Sequence, residues 1–201
     1  MSLSNEDQQR INAAISQAET KTAGEIVCVL ARSSSDYLTY ALAWAALAAL
    51  AAPWALVTLT ELSVRQILLV QAVVFVALYV LFSISGLGPY LVPKAVRLEH
   101  AHRAALEQFV TRGLARRRHE AGVLIFVSLA EHYVRVVADD AVAVKVDKRV
   151  WQGAVDSLLA GVKAGDLAGG YVAAVEKCGA VLAEHFPPGA GGELPDRIYI
   201  I

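Results

Sequence analysis

"EIVCVLA", Glu25–Ala31, is short, β-branched and nearly continuous in apolar character. A strand with one wet face alternates apolar and polar residues, so an unbroken run predicts a strand covered on both faces. The chain then enters "YALAWAALAALAAPWALVTL", Tyr40–Leu59, which carries no charge and has about the 20 residues that a membrane-spanning helix needs. "ILLVQAVVFVALYVLFSISGL", Ile67–Leu87, is more apolar still, with Gln71 as its only strongly polar side chain and the helix-breaking Gly88-Pro89 directly behind it. The intervening Thr60–Gln66 fits a tight turn between antiparallel helices. The strand is therefore expected to run straight into a transmembrane hairpin, residues 37–90, with spans at about 40–59 and 67–87. Pro53 is a site for a kink in the first span, and Tyr37, Tyr40, Trp54 and Tyr90 are placed as interfacial anchors.

Composition agrees with that reading. The chain has 201 residues, a net charge of -1 and 56% hydrophobic residues, and its mean hydropathy of +0.48 is high for a water-soluble domain. Residues 1–22 are polar and helix-patterned, so no cleavable export signal is expected. The two cysteines, Cys28 and Cys178, are too few for a disulfide framework and sit in apolar stretches as reduced core residues, one buried disulfide being the alternative.

Two crossings return the chain to its starting side, so residues 1–36 and 91–201 share a compartment and can form one domain. The linker has Arg65 as its only cation, whereas Arg32, Lys94, Arg97 and Arg103 flank the outer ends. The positive-inside rule then places both termini and the domain in the cytoplasm, on the inner face of the cell membrane.

In that domain Ser4 and Asp7 form a capping-box-like start to a helix with Ile11, Ala14, Ile15, Ala18 and Thr22 at helical spacing. A second helix is expected over Lys94–Leu114, closed by "RRRHEAG", Arg116–Gly122. "VLIFVSLA", Val123–Ala130, and "YVRVVAD", Tyr133–Asp139, read as a strand hairpin joined at Glu131-His132. Two helices follow, marked by Trp151, Val155, Leu158, Leu159 and Val162, and by Tyr171, Val175, Cys178, Leu182 and Phe186. The tail "GGELPDRIYII" is expected to be extended. The order predicts an α/β fold, a sheet of three or four strands between helical layers.

His100 and His102 are two apart on a helix and so point about 200° apart, and His119, His132 and His185 show no zinc spacing. Hydrolase, Walker, dinucleotide and Cys-x-x-Cys motifs are all missing from the sequence. Ser128 falls inside a strand pattern, where its hydroxyl is expected to be packed or bonded to backbone. From Lys94 to Arg118 seven cations face two carboxylates; beside a span these favour anionic lipid headgroups and not nucleic acid. Three acids remain, Asp139 and Asp140 at a strand end and Asp147 after it. Carboxylates with loop carbonyls nearby suit calcium or another divalent cation, although the spacing matches no EF-hand. The alternative is a capped turn neutralised by Lys145, Lys148 and Arg149, with Asp147 as N-cap of the Trp151 helix.

"GVLIFVSLAEHYVRVVADDAV", "FPPGAGGELPDR", "LSNEDQQRINAAISQAETKTAGEIVCVLA" and "LVPKAVRLEHAHRAALEQF" together resemble the TPM-domain family, in its branch of bacterial membrane proteins with a hairpin inserted in the domain. The resemblance covers nearly the whole chain. It implies a TPM-like α/β/α sandwich. Relatives are described in two ways, a plant thylakoid-lumen member as an acid phosphatase and others as binding calcium through acidic residues, which would fall on Asp139, Asp140 and Asp147 here. Soluble members commonly carry Gly-rich wording after the second hairpin strand, where this chain reads "ADDAV". The expected function is a membrane-anchored interaction or assembly module, with a protein partner and with the acidic loop as the place for calcium or another divalent cation. The alternative is a metal-assisted phosphatase using Asp139 or Asp140 with Arg135 or Arg149.

Overall fold

The computed structural model describes residues 3–35, 37–85, 90, 92–114, 121–147, 149–188 and 197–201. Gly88-Pro89, Arg116 to Arg118, His119, Lys148 and the stretch 189–196 of the tail motif lie outside them. The chain divides into two compact units, residues 1–34 with 100–201, and residues 35–99.

The first unit is a mixed α/β structure around a four-stranded mixed sheet. The elements in chain order are α1 (Asn5–Glu19), β1 (Glu25–Ala31), α2 (Leu38–Leu59), α3 (Val64–Ile84), α4 (Lys94–Thr111), β2 (Gly122–Ser128), β3 (Tyr133–Ala138), α5 (Asp140–Lys145), α6 (Gln152–Ala164), α7 (Leu167–His185) and β4 (Tyr199–Ile200). Strand order is β3-β2-β1-β4. β1 lies parallel to β2 over its full length, Glu25 opposite Gly122 through Ala31 opposite Ser128, and parallel to β4. β2 and β3 form the expected antiparallel hairpin.

Every residue of β1 and β2 is buried, because each face of the sheet meets its own apolar layer. Ile26, Cys28 and Leu30 join Val123, Ile125 and Val127 in a cluster with residues of α1, α5, α6 and α7. Their alternates Val27, Val29 and Ala31 join Leu124 and Phe126 in a second cluster with Ala105 and Phe109 of α4. This alternation is the period-2 signature of a strand whose two faces are both dry. Tyr171 in α7 is fully buried and its hydroxyl donates to the Val29 carbonyl at 2.7 Å, tying helix to sheet.

Local signals explain the boundaries. Ser4 and Asp7 form a complete capping box on α1. That helix ends at Glu19, before Thr22, whose hydroxyl donates to the Phe186 carbonyl beyond α7. Asp166 caps α7 by accepting from the Gly169 N–H at 2.8 Å. The preceding α6 stops at Gly165, which takes the left-handed φ of 81°. A Cβ at Gly161 would stand 2.5 Å from the Gly170 Cα, so only glycine permits this approach of α6 and α7. Cys28 and Cys178 are free and buried. Burial pushes both thiols up, Cys178 to about 12, so they stay protonated core residues.

The second unit contains α2 and α3, both long and apolar enough to cross a membrane. Their mean hydropathies are 1.9 and 2.7, and only 11% and 6% of the apolar windows are buried, the reverse of a soluble core helix. Ser63 and Gln66 form a capping box at the start of α3, which shortens the expected linker. Pro53 lies inside α2.

The last residues complete a sheet edge. Ile201 donates to the Leu30 carbonyl and accepts from the Arg32 N–H, both at 2.9 Å, and the Ile198 N–H donates to Asn12 Oδ1 at 2.8 Å. Ile198 is buried in the first cluster. Removing Arg197–Ile201 forfeits these bonds and that burial, roughly 3 to 6 kcal/mol. Chemical denaturation should show a lowered midpoint, which a free, partner-docking tail would not produce.

Candidate functional site

The acidic turn follows β3. Asp139 is the N-cap of α5: one carboxylate oxygen accepts from the Val142 N–H at 2.8 Å and the other from the buried Gly122 N–H at 3.1 Å. The Asp139 N–H in turn donates to the Gly122 carbonyl at 3.0 Å. One side chain thus opens a helix and closes the end of the β2–β3 ladder. The residue is buried, and this burial raises its carboxyl above the usual range; the Val142 and Gly122 N–H groups pull the other way, while neighbouring Asp140 adds to the rise.

Asp140 is exposed in the first turn of α5, where its charge suits the helix N-terminus. Asp147 lies past the other end of that helix, where its carboxylate accepts from the Arg149 N–H at 2.8 Å in a local turn. It does not cap the next helix: the N-cap of α6 is Trp151, without a side-chain hydrogen bond. The intervening α5 was not apparent in the sequence, because six residues are too few for a helical period to show. Among the described residues no three His, Cys, Asp or Glu side chains are grouped to hold a metal ion. With Asp139 turned onto two backbone donors and Asp147 onto its own loop, the three aspartates as placed do not make one coordination sphere.

The same turn borders a cleft of about 510 Å³ along β3, whose lining includes Val136, Ala138, Asp140, Val146, Trp151 and Val155. Among the described residues β3 is the last strand of the sheet, so one side of it has no neighbouring strand. Its ladder phase is fixed by the Asp139–Gly122 bond and the register: Val137, Arg135 and Tyr133 address β2, while Val134, Val136 and Ala138 turn their N–H and C=O groups to the open edge. Arg135, also in the cleft lining, donates to His102 Nδ1 at 2.8 Å and to the Tyr133 hydroxyl at 3.4 Å. His102 is therefore an acceptor on that nitrogen and bound to the sheet, whereas Arg149 is exposed after α5.

Glu131, read from sequence only as a hairpin turn residue, is a buried carboxylate. It accepts from the hydroxyl of Ser128 and that of Ser33, and from the Ser34 N–H at 3.0 Å. Ser128 therefore bonds a side chain and not backbone. The adjoining His132 takes a positive φ of 51°, which marks the tight turn.

No protein-family model matches this chain, and no curated protein matches it. One similar solved structure is the NMR structure of BA42 protein from the psychrophilic bacterium Bizionia argentinensis, with a TM-score of 0.62 at 19% identity, over 100% of this chain and 97% of that one. At that identity the likeness is one of fold.

Asp139→Ala removes a cap and leaves the buried Gly122 N–H without its acceptor, a loss of about 2 to 4 kcal/mol. Asp139→Asn keeps one acceptor and should lose less. Because the folded carboxyl is raised, its favourable contribution is full below the unfolded value of 3.8 and declines as pH rises through the folded value. The stability difference between wild type and Asp139→Asn, followed by denaturant titration from acid to neutral pH, should therefore shrink upward in pH. A difference that grows with pH would contradict the assigned direction.

Proposed function

We propose that this chain is a membrane-anchored protein whose TPM-like α/β/α domain lies in the cytoplasm and acts as an interaction or assembly module, with the open edge of β3 as its docking site. The observation that carries the reading is the pairing of that edge with the cleft. Outward backbone groups at Val134, Val136 and Ala138 supply a hydrogen-bonding template, and the apolar lining around Trp151 gives room for alternate side chains of an added strand. Support for the anchor comes from the two exposed apolar helices, and support for the cytoplasmic side from Arg32, Lys94, Arg97 and Arg103 against the lone Arg65. The bilayer is then the second partner.

A photo-crosslinking residue at Ala143, on the exposed wall of the cleft, should give a discrete protein adduct in intact cells, and one at exposed Lys163 should not. Val136→Pro removes an outward N–H while sparing the ladder donors, and Ala143→Trp fills the cleft; either should abolish an adduct formed from a neighbouring crosslinker position at Gln152. Equal adducts at both positions, or none at the cleft, would remove the reading.

The alternative is a phosphatase, favoured by one observation, that residues Asp140 and Arg135 both border one cleft. It requires phosphomonoester hydrolysis that is lost in Asp140→Asn. Among the described residues the three aspartates are not grouped to hold a metal ion. Calcium or magnesium at millimolar concentration should accordingly shift the melting temperature of wild type and of the Asp139→Asn/Asp140→Asn double variant equally; a shift confined to wild type would restore the metal site.

A further inference from the structure

We propose that α2 and α3 seat a second copy of this chain, with the Gln71 amides of the two copies hydrogen-bonded across a two-fold axis. The inference rests on the reading that these helices cross a bilayer.

Leu68, Gln71, Ala72 and Phe75 are spaced so that they share one face of α3. With Ala46, Ala49 and Leu50 of α2 they line a groove of about 390 Å³. Gln71 lies seven residues into α3, about 10 Å from its start and therefore inside a hydrocarbon layer about 30 Å thick. Hydrocarbon offers an amide nothing to bond, and no described residue hydrogen-bonds this one.

The chemistry of the amide selects the occupant. It holds donors and acceptors together, so two amides related by a two-fold axis satisfy each other reciprocally. An unlike span would have to present both functions at the same depth, and an acyl chain presents neither. The surrounding face carries both large and small side chains. Leu50 and Leu68 stand 62% and 59% exposed as ridges, and the small side chains of Ala46 and Ala72 beside them leave room for a partner's ridges. Isologous contact places each copy's ridges on the other's recess, giving a four-helix bundle in the membrane.

The test uses the full-length chain, labelled at its N-terminus with donor or acceptor fluorophore and mixed in phosphatidylethanolamine/phosphatidylglycerol vesicles. Energy transfer in the wild type should persist on lipid dilution and fit a dimer. Gln71→Leu, which makes the span more apolar and cannot impair insertion, should move the dissociation midpoint roughly tenfold toward monomer. Gln71→Asn should stay near wild type, and Ala72→Leu, at an exposed position of the groove, should dissociate with the amide intact. Wild-type transfer at the random-collision level, or equal to Gln71→Leu at every dilution, overturns the proposal. Alkaline carbonate treatment separates the two readings. Retention in the pellet with random transfer refutes the dimer alone, and release into the supernatant refutes the membrane reading and the dimer with it.

Discussion

The parallel register of β1 with β2 is the constraint on which the rest of the molecule depends. Parallel neighbours cannot be joined by a tight turn; the chain must leave at one end of the sheet and return to the other. Here the return runs from Arg32 to Ala121 and contains α2, α3 and α4. An antiparallel helical pair begins and ends on the same side of whatever it enters, so it can be inserted in this crossover without separating the two strands. A single apolar helix there would leave β1 and β2 on opposite sides of a membrane. The same register buries both strands on both faces, and that burial fixes where every other helix of the domain packs.

Polar groups in the domain are used to join segments that are distant in sequence. Asp139 connects β2, β3 and α5 through backbone donors, and Glu131 connects the hairpin turn to Ser33 and Ser34 at the exit of β1. Each carboxylate loses solvation and regains it from N–H and O–H donors. For Asp139 the burial cost exceeds the gain, which is why its carboxyl is raised. Side chains committed in this way hold the frame of the β3 cleft, while exposed Asp140 remains available at its rim.

Water and lipid impose opposite rules on polar groups. In water an unpaired strand edge is solvated and can exchange that solvation for bonds to another chain. For the Gln71 amide of α3 a hydrocarbon surrounding would offer no solvent to fall back on, so the same lack of an internal partner would carry a much stronger demand.

Helical and strand periodicity, the Ser4 capping box and the two uncharged runs were legible in the sequence because each is a local signal, repeated along one element. Their boundaries agree with the structure to within a few residues, and β1 agrees at both ends. Local signals also made Asp139, Asp140 and Asp147 look like one cluster, since they lie within nine positions. Only tertiary structure turned Asp139 inward onto Gly122, set α5 between it and Asp147, and moved the cap of α6 to Trp151. The cleft was illegible for the same reason. It exists because β3 falls at the end of the strand order, and that order is decided by which hydrophobic faces find each other across the fold, information that no contiguous stretch of the chain contains.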